Sequence, residues 1–288
     1  MTDPFTVPFL HKKGPGPALH FYHANGFSNG VYEPLLDQLS HDYDVYALAN
    51  RATWPKAGKP QHNNWHVFAD DLIAFIENNI GHKIIAVGHS LGASGTILAA
   101  NKRPDLFKAL VLIEPAMVNL SLYMAVRFLP RSWIKKSKLY QGTMRKADRF
   151  DSPEAYLNYI KKFKGYQLFP EETFSAFADH GIKQHKNGEY YLSFPKEWEA
   201  HNYTMPPYLM GLLKNLGSKG HNIPTVAIRG QKNDMFDDRL WHKWKKLQDN
   251  ALFLHDDKFG HLLPLEGPDE TYKLIKHGLY EVLNKHVM

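Results

Sequence analysis

Not one of the 288 residues is cysteine. That excludes a disulfide framework, a thiolate nucleophile and cysteine-ligated zinc together. Long apolar runs are missing too, since no stretch approaches the roughly 20 residues of a membrane span. The start, MTDPFTVPFLHKK, has no basic segment ahead of an apolar core of a leader. The expectation is a soluble, unexported, cytoplasmic protein with no stable membrane insertion. No G-x-x-x-x-G-K-[ST] phosphate loop, internal repeat or low-complexity tract is present. The net charge is +6, but the basic residues are spread out, and no glycine-aromatic RNA signature or metal finger accompanies them. A nucleic-acid partner is not expected, nor is a metal.

What is there is an ordinary globular composition, 43% hydrophobic and 22% charged, in a chain long enough to bury a large core. Apolar runs of strand length alternate with segments of helical period, which argues for a mostly parallel sheet wrapped by helices. Strands are expected at 5–10, 18–25, 43–50, 83–87 and 109–115. Helices are expected through 31–39 and in the stripe Val67, Phe68, Leu72, Phe75, Ile76. From Ala116 to Asn222 the rhythm breaks into Tyr-, Phe-, Trp-, Met- and Lys-rich helical patterns. Asn187-Gly188 there sits where a tight hairpin turn is expected. Sheet signals return at 223–230 and in ALFLHD, and a helix over 270–285 closes the chain. The expected layout is a core of 1–115 and 223–288 interrupted by an insertion, 116–222.

The stretch KIIAVGHSLGASGTILAA puts Ser90 between Gly88 and Gly92, where a buried strand meets a small-residue helix. A serine hydroxyl is a poor nucleophile unless it is exposed, near a base and facing donors for an oxyanion. A sharp strand-to-helix turn supplies the exposure, and flanking glycines let the two elements approach without Cβ clashes. A short pattern of this kind also arises by chance, so its position carries the meaning.

GHSLG in this setting resembles the nucleophile elbow of the α/β-hydrolase superfamily, and other landmarks follow that family's order of serine, acid and histidine. HANGFSNGVYEPLL is similar to its oxyanion loop. By that match the backbone N–H groups of Asn25 and Leu91 are the oxyanion donors, although Ala24 stands where glycine is common. His23 reads as a brace for the loop, and His89 as a packing residue. The resemblance implies His261, in DDKFGHLLPLEGP, as the base. It implies Asp234, in RGQKND, as the acid, with Glu114 at the end of ALVLIEP as the alternative; Asp237 and Asp238 read as helix-start residues.

The resemblance further implies an α/β-hydrolase fold, a mostly parallel central sheet flanked by helices, with 116–222 as a mainly helical cap over the serine. The Lys-rich segment Arg131 to Lys138, with Phe128, Leu129, Trp133 and Ile134 interleaved, fits a lipid interface or internal packing with a wet basic face. The expected activity is cofactor-free hydrolysis of small-molecule carboxylic esters of small to medium acyl chain by Ser90, His261 and Asp234 through an acyl-enzyme. A lipase, acylglycerol or thioester hydrolase on the same triad is one alternative. A non-catalytic ligand-binding homologue is another.

Overall fold

The computed structural model describes residues 7–232 and 238–284. Among these residues ten strands and thirteen α-helices follow in chain order. β1 (Phe9–Lys12), β2 (Ala18–Tyr22), α1 (Glu33–Ser40), β3 (Asp44–Leu48), α2 (His66–Phe75), β4 (Ile84–His89), α3 (Leu91–Lys102) and β5 (Phe107–Ile113) make the first part. Between β5 and the next long strand lie α4 (Leu120–Phe128), α5 (Arg131–Ile134), α6 (Lys138–Met144), β6 (Arg149–Phe150), α7 (Pro153–Ile160), α8 (Glu171–His180), β7 (Ile182–Gln184), β8 (Tyr190–Leu192), α9 (Lys196–Asn202) and α10 (Met210–Leu216). β9 (Thr225–Lys232), α11 (Asp238–Leu247), β10 (Ala251–Gly260), α12 (Leu263–Glu266) and α13 (Pro268–Asn284) close it.

The main sheet has the order β1-β3-β2-β4-β5-β9-β10. Only β1 runs antiparallel to its neighbour; every other pairing is parallel. β2 and β4 are buried at every position, which is why their sequences read as continuous apolar runs rather than alternations. One face packs α2 and α3 against Tyr22, Ala86 and Leu112; the other packs α1 and α13 against Phe21, Val87 and Val111. This is the α/β-hydrolase fold. β6, β8 and β7 form a small antiparallel sheet, and Gly188, at φ 88, makes the expected turn between β7 and β8.

Local signals set several boundaries. Ser152 and Asn119 cap their helices by accepting the N–H groups of Ala155 and Leu122. Ser137 does the same for α6. The expected strand at 5–10 begins instead at Phe9, held by its register with Leu48, and residues 1–6 lie outside the described chain. Leu209, Met210, Leu213 and Leu216 bring α10 into the same core as α3. Among the described residues no helix is long and apolar enough to cross a membrane.

α13 reaches the sheet by a close approach: a Cβ on Gly278 would lie 2.5 Å from Val226 Cγ1. Gly278→Leu should therefore overpack the α13–β9 contact and cost about 1–3 kcal/mol or more. A urea melt with an unchanged midpoint would show that the contact is looser than described.

Candidate active site

Four chain segments meet at the carboxyl ends of the central strands. The first is the turn from β4 into α3. Ser90 sits there at φ 53, ψ −115, a conformation that a non-glycine residue holds only when its surroundings impose it. They do so through backbone bonds: the Ser90 N–H donates to Ile113 O at 3.0 Å, and the Ser90 carbonyl accepts from Ala116 N at 3.1 Å. A Cβ on Gly88 would lie 2.6 Å from Ala93 Cα, and one on Gly92 would fall into the carbonyl oxygen of Tyr22. The two glycines thus permit the crossing of strand and helix. Leu91 opens α3, so its N–H has no acceptor within the helix.

The second segment is the loop after β2. His23 is fully buried, its Nδ1–H donating to Ala24 O at 3.1 Å and its Nε2 accepting from Asn50 N at 2.7 Å. Both nitrogens are spent on backbone, so His23 braces the loop. The left-handed residue is Gly26, at φ 84, and not Ala24, so alanine there carries no positive φ. Asn25 is fixed by its side chain, which donates to Glu199 O at 3.1 Å and accepts from Asn202 at 2.8 Å.

The third and fourth segments follow β5 and β10. His261 Nε2 lies 3.1 Å from Ser90 Oγ, and its Nδ1 lies 3.3 Å from Glu114 Oε2. Glu114 is 1% exposed, has φ 48, and accepts the Gly230 N–H through Oε1 at 2.7 Å. The carboxylate is thereby aimed by β9 at the histidine. Asp234 and Asp237 lie outside the described residues. Asp238 begins α11 and pairs with Arg229 at 2.5 Å.

His89, read from sequence as packing, has a further role in positioning. A carbonyl can only accept, so its Nε2–H donates to His261 O, at 2.8 Å, and its Nδ1 accepts from the Tyr32 hydroxyl, also at 2.8 Å. Tyr32 in turn accepts the Ala24 N–H at 3.3 Å. One chain of hydrogen bonds therefore ties the β2 loop, the elbow and the His261 loop. The histidine inside the elbow was its visible signal, but its partners lie 57 and 172 residues away.

Ser90 opens onto a cavity of about 640 Å³. Met117, Val118, Leu122, Val126, Leu139 and Leu168 give it an apolar wall. A polar corner faces them, where Lys146 Nζ pairs with Glu199 Oε1 at 2.6 Å and Tyr203 lies 3.4 Å from the same oxygen. Burial, with Glu199 nearby, holds the Tyr203 hydroxyl well above its usual range. Among the described residues no group of three or more His, Cys, Asp or Glu is placed to hold a metal ion. The arrangement can pass the Ser90 proton to His261 while a buried carboxylate steadies the imidazolium, which is the equipment of acyl transfer.

The sequence profile of the α/β-hydrolase fold family matches residues 17–268, and the chain belongs to that family. It is 33% identical over 109 residues to 2-(acetamidomethylene)succinate hydrolase of Mesorhizobium japonicum, a match covering 36% of this chain and 38% of that protein. It is 28% identical, also over 109 residues, to the karrikin insensitive 2 receptor IA of Petunia hybrida, covering 35% and 39%. These matches span under two fifths of the length of either curated relative. The crystal structure of E-2-(acetamidomethylene)succinate hydrolase superposes with a TM-score of 0.78 at 21% identity, over 95% of this chain and 94% of that one.

Burial sets a pH dependence. It pushes His23 down to about 4, and, with His261 adding to the effect on His89 and His23 to that on His20, pushes both of these down to about 3. Unfolded, each takes a proton near its ordinary value of about 6.5. Between those limits the unfolded chain binds more protons, so stability is complete above about pH 6.5 and falls as pH drops toward 4. Urea melts at stepped pH should show that decline; a flat midpoint across the window would contradict the neutral assignment.

Proposed function

We propose that the chain is a serine hydrolase of carboxylic esters, acting through an acyl-enzyme. The observation that carries this reading is the line from Ser90 Oγ through His261 to Glu114, at 3.1 Å and 3.3 Å, at the wall of an apolar cavity. Ser90 Oγ attacks the ester carbonyl as His261 Nε2 takes its proton. The backbone N–H groups of Asn25 and Leu91 hold the oxyanion. The alcohol leaves with the proton from His261, and water, activated by the same imidazole, releases the acid and restores the serine. Glu114 is the acid in this reading, because its carboxylate is buried, aimed by Gly230 and within reach of Nδ1.

The apolar wall suits an acyl chain of small to medium length, and the Lys146–Glu199 corner suits a polar group at the far end. The hydrolase among the relatives supports turnover, while the compound in its name carries an acetamido group, so amides and thioesters belong in the same assay. The receptor among them supports a second reading, in which the cavity holds a ligand without turnover.

A series of p-nitrophenyl esters from acetate to palmitate separates the readings. Turnover should peak at short or medium chains and fall by about 10⁴-fold or more in Ser90→Ala. Absence of turnover, with Ser90 unlabelled by a fluorophosphonate, would leave the ligand-binding reading. Glu114→Gln should lower kcat by roughly 10²- to 10⁴-fold, and Asp234→Asn should leave it within a few-fold. The reverse pattern would assign the acid to Asp234.

A further inference from the structure

The segment 116–147 holds seven cations, Arg127, Arg131, Lys135, Lys136, Lys138, Arg145 and Lys146, and not one Asp or Glu. It also gathers the exposed apolar side chains. Among the described residues, seven of the eleven large hydrophobics that stand exposed fall between Leu120 and Leu139. Phe128 is 78% exposed and Trp133 64%. Neither α4 nor α5 buries a single residue. Internal packing, one of the two readings open from sequence, therefore does not account for these side chains. A monomeric surface rarely leaves so many large apolar groups together in water without a use for them.

We propose that this face docks on an anionic lipid surface, with Phe128 and Trp133 entering the acyl boundary and the surrounding lysines and arginines meeting the headgroups. Three observations select that occupant. The charge is of one sign, complementary to an anionic layer. Lys146 is taken up by Glu199 at the cavity, but a second copy of this face would still bring the other six cations against each other, so self-association is opposed by repulsion. The patch is also continuous with the cavity, because Leu122 and Leu139 are at once exposed and part of the wall above Ser90. A lipophilic molecule leaving the layer would reach the serine along α4 and α6 without crossing water. The surface stands independently of the chemistry proposed above, so it is tested on a protein that cannot turn over.

The test is flotation of the full chain carrying Ser90→Ala with vesicles of phosphatidylcholine alone, or with one third phosphatidylglycerol. Binding to the anionic vesicles at low salt, absent with phosphatidylcholine alone and lost at about 1 M salt, where the Debye length shrinks to about 3 Å, is the expected result. Replacing Lys135, Lys136 and Lys138 by Gln should weaken partition roughly a hundredfold, at about five-fold per charge. Phe128→Ser with Trp133→Ser should weaken it as well, with an unchanged melting midpoint because both side chains are exposed. No flotation at low salt, or flotation indifferent to the lysines, would overturn the proposal. So would a dimer in sedimentation that the Phe128 and Trp133 changes dissolve.

Discussion

The close crossing of β4, α3 and β2 is the constraint on which the site depends. The Tyr22 carbonyl occupies the space that any side chain at position 92 would need, and Ala93 occupies the space beside Gly88. With the helix seated so tightly, Ser90 has no extended alternative and is held in a left-handed conformation that lifts its hydroxyl toward His261. The same crossing brings the carboxyl ends of β2, β4, β5 and β10 within side-chain reach of one another. A strained residue persists only where its neighbours over-determine it, and here backbone bonds from Ile113 and Ala116 do so.

A second layer fixes the loops to that crossing. His89 reaches the His261 carbonyl on one side and Tyr32 on the other, and Tyr32 receives the Ala24 N–H. His23 clamps Asn50 and Ala24 from beneath. Both histidines are buried and neutral, so they serve as rigid two-ended linkers and not as proton carriers. The histidine that faces the serine is the one that remains partly solvated, at 18% side-chain exposure.

Much of this was legible in the sequence, and for physical reasons. Buried parallel strands such as 84–89 show as unbroken apolar runs, and the elbow shows because only glycine tolerates the crossing at positions 88 and 92. That Glu114 reaches His261 was not legible. Glu114 and Asp234 both follow strands that end beside His261, and choosing between them needs side-chain distances across 147 residues of chain. Glu114 is the one placed at Nδ1 among the described residues, a relation that no local pattern encodes. The role of His89 was hidden in the same way, since a histidine inside an elbow reveals nothing of the carbonyl it will meet. The segment 120–139 was ambiguous for a different reason: an apolar and basic helix reads alike whether it packs inward or stands in solvent, and only its exposure in the folded chain separates the two.

The most direct measurement of the central claim is a rapid quench of the protein with excess p-nitrophenyl ester, followed by peptide mass mapping. A burst of about one nitrophenol per chain, with the acyl mass on the peptide that contains Ser90 and none in Ser90→Ala, is the expected result. Turnover without a burst and without an adduct on that peptide would contradict the Ser90–His261–Glu114 mechanism.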